Sequence, residues 1–264
     1  MLELTTRGYE CDQTATVPID RLLAFCEHQR WESMRDPEVG IVDEVHKGFF
    51  FVVLEQRIER LVSVGMAVPL RMEMTLDEVG RSTIWVRHVL RRQSDGVPVA
   101  IARVRGGWMS PRRRLARIPD ALREIAKRQA ALAREELTGE EGVGGTPGSW
   151  FDPPTLSRLA RGLLTPAEEP LGPVVARRMV QPRDADIFAH VNAATWLRYF
   201  EDAAGTATPA WRASLVYKKE ARPGQEVCLH IAREGEVLQC AATLDGTMLV
   251  AAAIELQAPS SEAG

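Results

Sequence analysis

Residues 183 to 203, RDADIFAHVNAATWLRYFEDA, bring Asp184, Asp186, His190 and Asn192 within a few positions of one another and then pass into a helical pattern with one apolar face. Carboxylate, imidazole and carboxamide are the groups that general acid–base and nucleophilic chemistry use. Asp and Asn are also the residues that close turns and cap helix starts, so the same stretch reads as a catalytic loop or as a polar turn. His190 alone reads as a structural histidine.

The rest of the chain limits the choice. Its 264 residues, 45% hydrophobic and 26% charged with a formal net charge of -3, give room for one large domain or two small ones and predict no general attraction to nucleic acid or anionic lipid. The start, MLELTTRGYE, has no cationic segment leading into an apolar run, and no stretch reaches membrane-span length, so a cytoplasmic protein is expected. Cys11, Cys26, Cys228 and Cys240 form no CxxC pair and read as reduced, mostly buried thiols. Cys228 and His230 share a strand face, but with no further clustered ligand they build no metal site. His28, His46 and His88 stand alone, and no GxSxG elbow or nucleotide fingerprint occurs.

The loop has an internal counterpart. CDQTATVPIDRLLAFCE lies over ADIFAHVNAATWLRYFE without a gap, pairing Asp12 with Asp186, Leu23 with Leu197, Phe25 with Tyr199 and Glu27 with Glu201. In each copy a short strand, LELTTRGYE or PVVARRMVQ, leads through the loop to a helix. Ile19, Leu22, Leu23 and Cys26 give the first helix its buried face, and Trp196, Leu197, Phe200 and Ala204 the second. Strand-like runs follow: FFFVVLEQRI, VPLRMEMTLDE, RSTIWVRHVLRR and PVAIARVRGGWM, then RASLVYKKE, QEVCLHIARE, EVLQCAATL and TMLVAAAIELQ, separated by turns such as SDG, RPGQ and LDGT. Each copy is an α+β unit with its helix on one sheet face. Between them, IPDALREIAKRQAALAREEL predicts a helix with Ile118, Leu122, Ile125 and Leu132 on one side, strapping one copy to the other, and LTGEEGVGGTPGSW predicts a flexible linker.

Three stretches resemble the acyl-ACP thioesterase family. WMSPRRRLARIPDALREI, from Trp108 to Ile125, is similar to that family's tryptophan-methionine strand end, arginine pair and Ile-Pro helix start. DADIFAHVNAA is similar to its DLDxNxHVNN loop and to the DxxGHVN signature of related thioesterases, and YKKEA to its YRREC. The resemblance spans nearly the whole chain and implies a tandem (double) hotdog fold: two antiparallel sheets, each wrapped around a central helix and joined by a helical linker, with the two copies joining their sheets as an internal dimer. The implied units are an N-terminal hotdog over residues 1–115 for the substrate chain, a helical and Gly-rich linker over 116–172 and a catalytic C-terminal hotdog over 173–264.

By the same resemblance Asp186, His190 and Glu220 are the catalytic residues, with Glu220 favoured as general base and Asp186 as orienter. A nucleophilic Asp186 stays open, and the bland reading of Glu220 is a solvated strand-end charge. His190 would hold the thioester oxygen or a carboxylate, and N–H groups near Ala193 to Thr195, at the helix start, would face developing negative charge. The sequence departs from the family at Phe188 and Ala193, where asparagines are usual, and at Ala221, where cysteine is usual. The last argues against a thiol nucleophile and leaves water. Phe188, Asn192 and Ala193 are the expected substrate-binding positions, with Phe188 lining an acyl pocket or stacking on an unsaturated or aromatic chain, and FFFVVLEQ helping to line an apolar tunnel.

At the positions matching His190 and Asn192 the first copy has Thr16 and Pro18, so one active site per chain is expected. Arg112, Arg113, Arg114 and Arg117 form a basic cluster suited to docking an acidic acyl carrier protein, or a solvated turn. The implied reaction is hydrolysis of a fatty acyl or polyketide-type chain from that carrier, without metal or cofactor, by a monomer or homodimer. A hotdog protein that binds acyl carriers without turnover, and a hydratase or dehydratase on the same fold, are the alternatives.

Overall fold

The computed structural model of the chain describes residues 1–35, 41–139, 154–164, 172–205 and 209–256, with the side chains of 130–139, 154 and 155 outside that description. In chain order the elements are β1 (Leu2–Thr5), α1 (Ile19–Met34), α2 (Val42–His46), β2 (Phe50–Arg60), β3 (Pro69–Val79), β4 (Thr83–Arg92), β5 (Pro98–Met109), α3 (Asp120–Gly139) and α4 (Pro154–Gly162). They continue with β6 (Val174–Met179), α5 (Ala193–Ala204), β7 (Ala210–Tyr217), β8 (Glu226–Glu234), β9 (Val237–Leu244) and β10 (Thr247–Leu256).

The strands form one continuous antiparallel sheet of ten strands, in which the sheets of the two copies are joined edge to edge. Its order is β1-β3-β4-β5-β2-β7-β10-β9-β8-β6, and the second five strands repeat the connectivity of the first in mirrored order. The join is β2 against β7, from Glu55 opposite Val216 to Glu59 opposite Arg212. Left apart, each of these strands would be an open edge with a row of unpaired backbone groups, and pairing them removes both edges at once. The RASLVYKKE run is strand only to Tyr217; beyond it the Lys218 and Lys219 N–H groups both donate to Leu249 O, at 2.8 and 3.1 Å, and the chain turns away.

Strand alternation sorts the core. On β10, Val250, Ala252 and Ile254 join the main core with α1 and α5, which pack on each other, whereas Ala253 points to the opposite face and meets Leu156 and Ala160 of α4. The sequence marked a helical linker here but no separate helix α4 on the outer face. On β4, Leu90 belongs to the main core, while Ile84 and Val86, on the same strand face, belong to a second cluster with Ile118, Leu122 and Ala126. Helix α3 therefore covers the end of the first-half sheet that α1 leaves bare. Its described face packs on β3 of that half. The Leu132 side chain and linker residues 140–150 lie outside the described residues.

One close approach needs its glycine. The Phe51 ring lies against Gly106 of the neighbouring strand, where a Cβ would stand 1.6 Å from a ring carbon. Among the described residues, no helix is long and apolar enough to cross a membrane.

The α1–α5 contact carries buried charge. Glu201 of α5 is partly exposed as a residue, but its carboxyl is pushed up from its ordinary 4.5 to about 8, first by burial and then by the charge of Asp20 on α1, against the opposing pull of Arg60. A carboxyl raised in the folded state binds its proton more tightly there than in the unfolded chain. Its contribution to stability is complete below pH 4.5 and lost as pH rises through about 8. Glu201→Gln should therefore gain stability over wild type across that window, by at most about 1.4 kcal/mol per pH unit. Thermal unfolding at pH 5 and pH 9 checks it, and an equal difference in Tm at both values would refute it.

Candidate active site

The loop before α5 is built by its own acids. Asp184, 2% exposed, accepts hydrogen bonds from the Tyr199 hydroxyl at 2.7 Å, the Gln181 N–H at 3.0 Å and the Arg198 guanidinium at 2.8 Å. Burial alone would raise its pKa, but the Tyr199 and Gln181 hydrogen bonds, with the charges of Arg198 and Arg178, hold it below the ordinary range. Asp184 is thus an anchor for the loop.

Asp186 closes the turn that follows. Its Oδ1 accepts from the N–H groups of Phe188 and His190, at 2.8 and 3.2 Å, its own N–H donates to His190 O, and Ala189 takes the left-handed conformation at φ 58°. The first copy repeats this geometry. Asp12 Oδ1 accepts from the Thr14 and Thr16 N–H groups, Asp12 N–H donates to Thr16 O, and Ala15 sits at φ 59°. One carboxylate oxygen in each loop therefore serves the turn.

The copies diverge in what the turn presents. His190 Nε2 lies 2.6 Å from Glu220 Oε2, at ion-pair distance but without the in-line geometry of a hydrogen bond. Glu220 also accepts from Arg113 Nη1, at 3.0 Å through Oε1 and 3.1 Å through Oε2, and has Arg222 at 3.6 Å. Arg113, with φ 55° in a turn closed by its N–H donating to Ser110 O, comes from the first half of the chain. In this structure it is engaged at the site, and Arg117 pairs with Asp120 at 2.8 Å, which leaves Arg112 and Arg114 as the members of the basic cluster without an ion pair among the described residues.

Asn192 caps α5: its Oδ1 accepts from the Ala194 N–H at 2.9 Å, and its Nδ2 donates to Glu27 Oε2 at 2.7 Å. Thr195 N–H donates to Asn192 O. Of the three N–H groups expected to face developing charge, two are therefore taken, and Ala193 alone keeps a donor without an acceptor among the described residues. The Tyr217 hydroxyl lies 2.9 Å from Ala193 O and 3.0 Å from Gln56 Oε1; its pKa is raised well above the ordinary value, by burial first and then by the charge of Glu27. Ala221, where the family has cysteine, is 1% exposed.

These residues surround a cavity of about 350 Å³ whose walls come from both halves. Phe188 packs against Phe50 of β2 and Trp31 of α1, with ring centroids 5.3 and 6.3 Å away. Phe50, Phe51, Val52, Val53 and Leu54 of β2 line the same cavity. Glu27 and Trp31 were not singled out as site residues in the sequence, where the alignment of Glu27 with Glu201 was the signal to follow, and Arg113 was singled out for docking and not for a contact with Glu220. His230, considered with Cys228, uses its ring nitrogens on Gly172 O and Thr243 Oγ1. The arrangement can hold a polar head group beside His190 and Glu220 with an apolar tail running between β2 and α1.

No protein-family model and no curated protein matches the chain. Solved structures do match. A 12:0-ACP thioesterase from Umbellularia californica superposes with a TM-score of 0.72 at 13% identity, over 97% of this chain and 96% of that one. An acyl-ACP thioesterase from Bacteroides thetaiotaomicron gives the same values. A Lactobacillus plantarum protein described as an oleoyl thioesterase gives 0.73 at 16% identity, over 97% of this chain and 94% of that one. Over the described residues, the chain has the fold of these thioesterases.

Proposed function

We propose that the chain is a tandem hotdog thioesterase that hydrolyses an acyl chain from acyl carrier protein, giving the free acid and the carrier thiol. The observation that carries this reading is the 2.6 Å contact between His190 and Glu220 at an apolar cavity, on a fold shared with acyl-ACP thioesterases. The catalytic unit is then 173–264, with 1–115 taking the substrate chain and 116–172 linking them. Location is cytoplasmic, no metal or cofactor takes part, and the active form is a monomer or homodimer.

In this mechanism Glu220 takes a proton from water as the water oxygen attacks the thioester carbonyl carbon. The Ala193 N–H faces the developing oxyanion, where a preorganised donor in a site shielded from water is worth most. The C–S bond then breaks, and the thiolate recovers the proton from Glu220. His190 orients Glu220, Asp186 holds the His190 backbone in place, and Phe188 borders the acyl chain. Phe188 does not replace the missing amide, since a phenyl ring offers no hydrogen bond to water.

A second reading, a carrier-binding protein without turnover, is favoured by one observation. Arg113 grips both oxygens of Glu220, so neither carboxylate oxygen is free to meet a water in this arrangement.

Thiol release from a panel of carrier-protein and CoA thioesters separates the two. Glu220→Ala and His190→Ala should each lower kcat/KM by about 10²-fold or more. Wild type that binds the panel but releases no thiol would overturn the hydrolase reading. Charge reversal at Arg112 and Arg114, which lie outside the Glu220 cluster, should raise KM for carrier-bound substrates while leaving small thioesters little changed. Equal effects on both substrate types would count against docking there.

A further inference from the structure

Helix α1 carries a buried arginine that the proposed chemistry does not use. Arg30 is 5% exposed, and it lines both the site cavity and a second cavity of about 440 Å³ lined mainly by α1, α3 and strands β3 to β5. Phe51 and Met34 border both cavities as well. No carboxylate lies within ion-pair distance of Arg30 among the described residues. Glu27, one helical turn away, acts on it only as a more distant charge, and burial lowers its pKa. A guanidinium taken out of water without a matched anion is costly unless its N–H groups find acceptors.

Its orientation is held by a chain of neutral groups. Arg30 Nη1 lies 3.3 Å from His88 Nε2, His88 Nδ1 lies 2.8 Å from Gln29 Oε1, and Gln29 Nε2 donates to Met72 O at 2.8 Å. Because a guanidinium only donates, His88 Nε2 is the acceptor and the ring proton sits on Nδ1, donated to Gln29. Burial, and then the charge of Arg30, pushes the His88 pKa well below its ordinary value, so the ring is neutral. One N–H of Arg30 is thereby satisfied, and its guanidinium makes no other side-chain hydrogen bond among the described residues.

The fold does not require this arrangement. In the alignment of the two copies, α5 carries Ala203 and Ala204 where α1 has Gln29 and Arg30. The glutamate one turn earlier, Glu27 or Glu201, is present in both. The arginine, and the glutamine that holds its partner His88, are thus peculiar to the first half, whose helix α1 lines both cavities.

We propose that Arg30 selects acyl chains carrying a hydrogen-bond acceptor oxygen, a keto or hydroxyl group, within the first several carbons after the thioester. The position follows from α1. Glu27 touches Asn192 at the catalytic loop, and Arg30 lies three residues deeper, about 4.5 Å along the helix axis. A plain saturated chain adds no acceptor to the one that His88 supplies, whereas an oxygenated one does. This inference rests on the thioesterase reading of the site.

The test uses non-hydrolysable amide analogues of acyl-pantetheine of equal length, saturated, 3-oxo, 3-hydroxy and 5-hydroxy, titrated calorimetrically into the full chain. Wild type should bind at least one oxygenated analogue about tenfold or more tightly than the saturated one, as expected for a hydrogen bond to a charged group. Arg30→Met, checked for an intact thermal transition, should bring that ratio close to one. Wild type that binds the saturated analogue as well or better overturns the proposal without any variant, as does Arg30→Met weakening all analogues equally. Binding is read without turnover. An oxygen preference in a protein that releases no thiol would therefore sink the hydrolase reading alone, and turnover without the preference would sink this inference alone.

Discussion

The pairing of β2 with β7 is the constraint on which the rest of the structure depends. It joins the two halves through backbone hydrogen bonds and aligns their side chains in a fixed register, Glu55 to Val216 through Glu59 to Arg212. On the outer face the seam is tied by Arg212 to Glu59 at 2.6 Å and by Arg161 of α4 to Glu55 at 2.6 Å. On the inner face Ile58, Ala213 and Leu215 enter the core, and Gln56 meets the Tyr217 hydroxyl. Because side chains alternate along a strand, a slip of one residue would exchange these two faces. It would also separate the β2 wall of the cavity from Glu220, three residues past the end of β7.

The two copies show how one backbone device takes two roles. Asp12 and Asp186 fold nearly identical turns through the same carboxylate-to-backbone bonds. In the first copy the turn leads into α1 through Pro18, which caps nothing with its side chain. In the second it displays His190 toward Glu220, and Asn192 both caps α5 and binds Glu27 across the interface. The candidate site residues are added around a shared turn, and two of them, Glu220 and Asn192, take partners from the opposite half. Arg113 and Glu27 come from the first half, and Glu220 and Asn192 from the second. A single copy would lack these partners.

Local sequence carried most of the secondary structure. Alternating apolar residues marked the strands of β2 to β5 and β7 to β10, and helical spacing marked α1, α3 and α5, because these periods report one buried face each. The resemblance brought His190 and Glu220 together in expectation, and the structure has them in contact. Local patterning did not distinguish one continuous sheet from two, since the β2–β7 pairing is a contact between strands more than 150 residues apart along the chain. It also left His88 without a role, because an isolated histidine is informative only through what packs on it.

Composition, periodicity and the repeated loop thus pointed to an α+β chain of two related units, and the resemblance to the candidate catalytic residues. Tertiary structure alone decided that Arg113 reaches Glu220, that Phe188 meets Trp31 and Phe50, that Ala193 keeps its N–H while its neighbours lose theirs, and that Arg30 is buried at the border of two cavities. Periodicity fixes which face of an element is buried, a property of each segment by itself. Which groups meet across the seam depends on strand register and helix packing, and these are set by the whole fold at once.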